Sequence, residues 1–208
     1  MTALLSSAYF APVQWFQKLN RYETVYVERF DSFAKQTYRN RCIISTANGL
    51  QALTVPVEHP ALPDNLQSAP YLMRDIRVSD HGNWRHQHWN ALQSAYGDSS
   101  FFLYYADDLR PFFEQRWKFL YDFNMEITLK MCELLDIHPQ IHSTETFVKS
   151  PADTDDFREV IHPKRPLPDP AFSPTRYYQV YEQRFGFQPN LSILDLLFNQ
   201  GNESVLFL

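Results

Sequence analysis

Scarcities set the first limits on this 208-residue chain: two cysteines, five glycines and a net charge of −5 with no long basic run. Cys42 and Cys132 lack the spacing of a zinc ligand set and are too few for a disulfide framework, so they read as free thiols of a reducing compartment. No apolar run approaches about twenty residues, which excludes a transmembrane helix. Met1 to Phe10 lacks the basic start and long apolar stretch of a signal peptide, so a cytoplasmic protein is expected. With 19 Lys and Arg against 24 Asp and Glu, the chain offers no broad grip on nucleic acid. Nothing in the pattern indicates an oligomeric state.

What is present suits one domain spanning 1–208. Hydrophobic residues make up 44% and charged residues 21%, enough for a sizeable core and too apolar for disorder. Seventeen Phe, twelve Tyr and four Trp read first as core filler. Fourteen prolines, gathered mainly between 56 and 70 and between 139 and 189, mark connectors between structured elements.

The periodicity predicts an α/β protein: a mixed sheet with a β-hairpin, helices packed on it, and a helix pair in the second half. Residues 3–8 read as a buried strand. Pro12 suits the first helical position, and Val13, Phe16, Gln17 and Asn20 share a face beyond it. If this opens a wound sheet, ligands collect past the strand's carboxyl end, near Tyr9 and Gln14; Tyr9 reads equally well as a core aromatic. Thr24 to Glu28 alternates as a strand. Arg41 to Thr46 and Leu50 to Val57 flank Asn48-Gly49, the signature of a tight hairpin. Residues 58–70 read as a loop and Ile76 to Val78 as a short strand. Helices are expected over Trp84–Tyr96, over Phe101–Phe113 with a break at Pro111, and over Trp117–Leu135. A strand over Ile141–Val148 follows, then an unusually long connector, 149–174, a length that often carries function. Ser192 or Asn190 caps a last helix that ends at Gly201, and Val205 to Leu208 reads as a final strand.

The densest polar chemistry lies at Lys35-Gln36-Thr37-Tyr38-Arg39-Asn40-Arg41, just before the hairpin. In such a cluster Arg39 and Arg41 would offer planar forks for phosphate or carboxylate, which a lysine point charge matches less well. Lys35 would add charge, and Gln36, Tyr38 and Asn40 would add hydrogen bonds. A solvated turn before an edge strand is the plainer reading of the same residues. Glu28 and Asp31 precede the cluster, and cations beside them favour their charged forms.

His81, His86 and His88 invite a metal reading, but positions two apart point to different helix faces, and no H-E-x-x-H or paired-cysteine pattern accompanies them. No metal or other cofactor is therefore expected. His88 reads as a hydrogen-bonded core residue and His86 as a possible general base. Asp195, on an apolar helix, is either a structural partner or a buried acid with a shifted pKa.

The runs Tyr26-Val27-Glu28, Tyr38 to Ile44 and Leu53-Thr54-Val55-Pro56-Val57, with the ending Ser192-Ile-Leu-Asp-Leu-Leu-Phe-Asn-Gln-Gly201, resemble the WbqC-like family of bacterial polysaccharide (O-antigen) gene sets. The resemblance implies a transferase acting in surface-polysaccharide assembly, moving an amino-acid unit such as glycine onto a nucleotide- or lipid-linked sugar. Its partner would be an anionic sugar-phosphate substrate. Lys35, Arg39 and Arg41 would hold the phosphate, Tyr9, Gln14, Gln36, Tyr38 and Asn40 would orient the substrate, and Glu28 or His86 would take the acceptor proton. The alternative is a non-catalytic module that binds an anion or a protein. The chain departs from the family pattern at Glu28-Arg29-Phe30-Asp31-Ser32, where many members carry tandem aspartates, and in a shorter segment near 149–174.

Overall fold

The structure is a computed structural model describing residues 1–61, 70–149 and 153–208. Residues 62–69 of the expected proline-rich loop and 150–152 of the connector lie outside the described residues.

Four parallel strands form the main sheet: β1 (Thr2–Ser6), β2 (Thr24–Glu28), β7 (Gln140–Ser143) and β8 (Thr154–Asp156), in spatial order β7-β2-β1-β8. β1 is a short, almost wholly buried run, as a strand covered on both faces should be. It pairs with β2 from Thr2–Thr24 to Ser6–Glu28 and with β8 from Thr2–Thr154 to Leu4–Asp156. The expected hairpin forms as β3 (Arg41–Thr46) and β4 (Gly49–Thr54), a separate antiparallel sheet. A second antiparallel pair joins β5 (Val57–Glu58) to β6 (Arg77–Val78). The α/β class read from the sequence holds.

Helix α1 (Val13–Arg21) begins one residue later than expected, with Pro12 at the capping position. Its free amino-terminal N–H groups are taken by the far end of the chain: Val13 N donates to Leu191 O at 2.9 Å and Gln14 N to Asn190 Oδ1 at 2.8 Å. Every residue from Val13 to Leu19 is buried, so α1 is an internal helix and not a surface one. Helix α2 (Trp84–Tyr96) buries Trp84, His88, Leu92, Ala95 and Tyr96, the face its spacing predicts. Next come α3 (Phe102–Leu109), α4 (Pro111–Glu114), α5 (Leu120–Leu134), the short α6 (Glu182–Phe185) and α7 (Ile193–Gln200). Stacked rings join α4 to α5 through Trp117, which lies 6.0 Å from Phe112 and 5.1 Å from Phe123.

Ser192 caps α7 by accepting from Leu194 N at 3.3 Å, and Gly201 ends the helix with a positive φ of 57°. The strand expected over Val205–Leu208 is instead part of a 3₁₀ turn, Gly201–Phe207. A short apolar run does not by itself choose between strand and turn. Here Ser204 Oγ bonds back to Leu196 O at 3.3 Å and holds the chain against α7.

Candidate functional site

The sheet order places a topological switch at its middle. β1 leads through α1 to β2 on one side, while β8 joins β1 on the other, so the chain leaves two adjacent strands in different directions. Crevices open beyond the carboxyl ends of strands at such points. One does here: Ser6, Ser7 and Ala8, which end and follow β1, meet Phe157, Arg158 and Ile161, which follow β8, around a small cavity of about 10 Å³. Thr37, Tyr38 and Arg39 close it from the loop before the hairpin. Space of that size holds about one water molecule.

Two guanidinium groups border the cavity. Arg39 pairs with Asp31 through Nη2, which also donates to Ser6 Oγ at 3.0 Å. Ser6 Oγ in turn donates to Asp31 Oδ2 at 3.1 Å. Only 7% of the Arg39 side chain is exposed, and its Nε is shielded from solvent without a hydrogen-bond partner. A shielded donor left unpaired costs its desolvation, about 1–3 kcal/mol, unless a ligand or water accepts from it. Asn124 of α5 fixes the loop from below, donating to Arg39 O at 2.8 Å and Ser7 Oγ at 3.0 Å. The amide of this buried side chain is thus spent on the site loop itself.

Arg158 approaches from the opposite wall. Its Nη2 lies 2.6 Å from Asp156 Oδ2 and its Nη1 3.3 Å from Glu28 Oε2. Burial works against its charge, but the hydrogen bond and charge of Asp156, with Glu28 beyond, hold its pKa above the ordinary value. Glu28 is fully buried at the end of β2. It accepts from Thr144 Oγ1 at 2.6 Å, Phe30 N at 2.9 Å and Val148 N at 3.1 Å as well as from Arg158. A carboxylate so engaged knits three chain segments together.

The other residues singled out from the sequence fall in several places. Tyr38 lines the cavity, and burial pushes its phenol up to about 12. Lys35 is exposed. Gln36, at a positive φ of 63°, is exposed and meets Lys164 Nζ through its Oε1. Asn40 braces the hairpin, donating from Nδ2 to Val55 O at 2.9 Å. Arg41 opens β3 half-buried and does not line the cavity, so the two hairpin arginines do not converge. Tyr9 is sealed in the core, 3.0 Å from His88 Nδ1. Gln14 joins a separate network, donating from Nε2 to Asp169 Oδ2 at 2.9 Å and accepting from Asn190 at 3.1 Å. His86 lies on the exposed face of α2, 2.9 Å from Asn90 Nδ2, and lines a different concavity with Arg85, Trp89 and Glu114.

Sequence reasoning missed Arg158, Ser6 and Phe157. The long connector was the available signal, since it carries Asp156-Phe157-Arg158 to the cavity. It then folds back as a strap: Lys18 Nζ pairs with Asp169 at 2.6 Å while lying 4.6 Å from the centre of the Phe157 ring. Burial would raise the Asp169 carboxyl, but hydrogen bonds from Lys18 and Gln14 outweigh it and hold the pKa below its usual value. Among the described residues, no group of three or more His, Cys, Asp or Glu side chains is placed to hold a metal ion, and no helix is long and apolar enough to cross a membrane.

No solved structure matches the chain significantly. The chain is similar to the uncharacterized protein Rv1507c of Mycobacterium tuberculosis, with 27% identity over 197 residues, covering 83% of this chain and 81% of that protein. The model of the WbqC-like protein family matches residues 7–162 and 169–206. That match takes in the cavity lining except Ser6 and nearly the whole chain, which therefore belongs to the WbqC-like protein family.

Proposed function

We propose that the cleft between β1 and β8 binds the phosphate-bearing part of a substrate. In this reading the protein is a transferase of surface-polysaccharide (O-antigen-type) assembly, moving an amino-acid unit such as glycine onto a nucleotide- or lipid-linked sugar. One observation carries the anion: the buried, unpartnered Nε of Arg39 beside a cavity that Arg158 also lines. The reaction class follows from the family resemblance. Phe147, 52% exposed and 5.3 Å from the Arg158 guanidinium, offers a flat apolar surface for a sugar or base at the rim.

An incoming anion would compete with Asp31 for Arg39. Asp31, already hydrogen-bonded by Ser6, would then be the carboxylate free to accept a proton from an acceptor amine. The proton would leave as the amine nitrogen bonds the carbonyl carbon of an activated aminoacyl ester or thioester. The bond from that carbon to the donor's carrier breaks, the carrier leaving with the electron pair. A non-catalytic anion- or protein-binding module is the second reading. It is favoured by the small cavity and by the commitment of Glu28 to four donors.

Calorimetric titration with nucleotide sugars and inorganic phosphate tests the anion. Arg39→Ala and Arg158→Ala, with unchanged circular dichroism, should each weaken binding at least about tenfold. Failure of the unmodified protein to bind any phosphorylated ligand rejects the proposal. Binding without transfer of labelled glycine to any nucleotide- or lipid-linked sugar leaves the module reading standing.

A further inference from the structure

The inner cleft sets two cations against three carboxylates, so it carries no unpaired positive charge. Arg39 faces Asp31, and Arg158 faces Asp156 and Glu28. The surplus positive charge sits one step outward, on the strap. Lys164 and Arg165 are exposed, and among the described residues neither joins an ion pair. Lys164 is nonetheless held in place, because its Nζ donates to Gln36 Oε1 on the loop that carries Arg39. His162 fixes the turn between them and the cavity, its Nδ1 accepting from Lys164 N at 3.0 Å and Arg165 N at 3.1 Å. Burial and then the positive charges of Arg165, Arg39 and Lys164 lower the His162 pKa, offset in part by Glu159, so the inner and outer cations share one electrostatic environment.

The family comparison sets this outer layer apart. The matched residues stop at His162 and resume at Asp169, so Pro163 to Pro168, with both free cations, lies outside the family pattern. The cavity walls Ser7, Arg39 and Arg158 lie inside it.

We propose that Lys164 and Arg165 are specificity residues that read a second negative charge, so that this member selects a diphosphate over a monophosphate. This rests on the anion reading of the Arg39 and Arg158 cleft. One phosphate takes the place of Asp31 against Arg39 at the inner cleft, and the second, adjoining it covalently, lies under the strap. Two exposed cations beside a doubly charged group favour it electrostatically, an effect that salt weakens. The diphosphate could belong to a nucleotide carrier or to a lipid carrier.

Titrations of the full chain with inorganic phosphate and inorganic pyrophosphate at low salt test this. The unmodified protein should bind pyrophosphate at least about tenfold more tightly than phosphate. The Lys164→Ala/Arg165→Ala double variant should close that gap to about threefold, weakening phosphate binding by a smaller factor than pyrophosphate binding. Lys164→Gln should give an intermediate value. Both positions changed are exposed, so folding is monitored only as a control. Equal affinity for the two anions, or a preference that survives in the double variant, overturns the inference and leaves the inner anion site intact. If neither anion binds the unmodified protein, the anion reading itself falls. Uridine diphosphate and farnesyl diphosphate, run as separate arms, separate the two sources: the carrier whose binding depends on the strap is the supported one, and independence in both counts against the proposal.

Discussion

The Tyr9 hydroxyl and Nδ1 of His88 lie 3.0 Å apart with both side chains buried in the core. Burial lowers the His88 pKa from 6.5 to about 4, and a hydrogen bond to the Thr54 backbone opposes the shift. The fold therefore favours the neutral ring. Stability gained from that preference is complete above 6.5 and is withdrawn as pH falls through the interval down to about 4. The full loss is on the order of 3 kcal/mol. Urea denaturation at pH 7.5 and pH 4.5 should show it, and His88→Phe should flatten the dependence. An unchanged acid slope in that variant would assign the loss to other groups.

Asp195 titrates with the opposite consequence. Burial raises its pKa, although Tyr96, Tyr177 and Gln179 donate to it at 2.8, 2.7 and 2.9 Å and pull the other way. A carboxyl whose folded pKa is raised favours the folded state as acid is added. Asp195→Asn should therefore remove a stabilising contribution at low pH. Asp195→Ala, which orphans the Tyr96 and Tyr177 hydroxyls and removes one of the Gln179 bonds, should cost about 3 kcal/mol or more at pH 7. Thermal denaturation of both variants at two pH values checks the sign and the size.

Glu28→Gln separates architecture from chemistry. All four groups around Glu28 are donors, two to each oxygen, so an amide NH₂ in place of either oxygen must face two of them. The expected cost is about 2–4 kcal/mol, with Arg158 loosened from its wall. A variant with unaltered melting temperature and no transfer activity would point to a general base instead.

Gly201 ends α7 at φ 57°, and a Cβ there would lie 2.6 Å from the Phe101 ring. Gly201→Ala should destabilise by about 2–4 kcal/mol through combined backbone strain and overpacking. Gly82 also has a positive φ, 72°, but faces open space. Its alanine variant should lose only about 1 kcal/mol. Equal losses at the two sites would mean that the ring gives way.

Much of the fold was legible where local signals agreed. β2 alternates, Asn48-Gly49 demands a tight turn, and the α2 stripe from Trp84 to Tyr96 has one outcome. β8 was not legible: two of its three residues, Asp155 and Asp156, disfavour strands, and its place is set by backbone pairing to β1, across some 150 residues of sequence. The site divides in the same way. Arg39 stood out because its neighbours are also polar. Arg158 did not, because its partner Glu28 is 130 positions away, a relation that only the topology creates.

β1, an inner strand of the main sheet, precedes both of its neighbours in the chain, and β8 follows β2 and β7. A ribosome would release Thr2–Ser6 long before Thr154–Asp156 exists to cover its second edge. Until Thr154–Asp156 has emerged, that edge of β1 stays open to wrong pairing, so the sheet closes only after the intervening segments have been made.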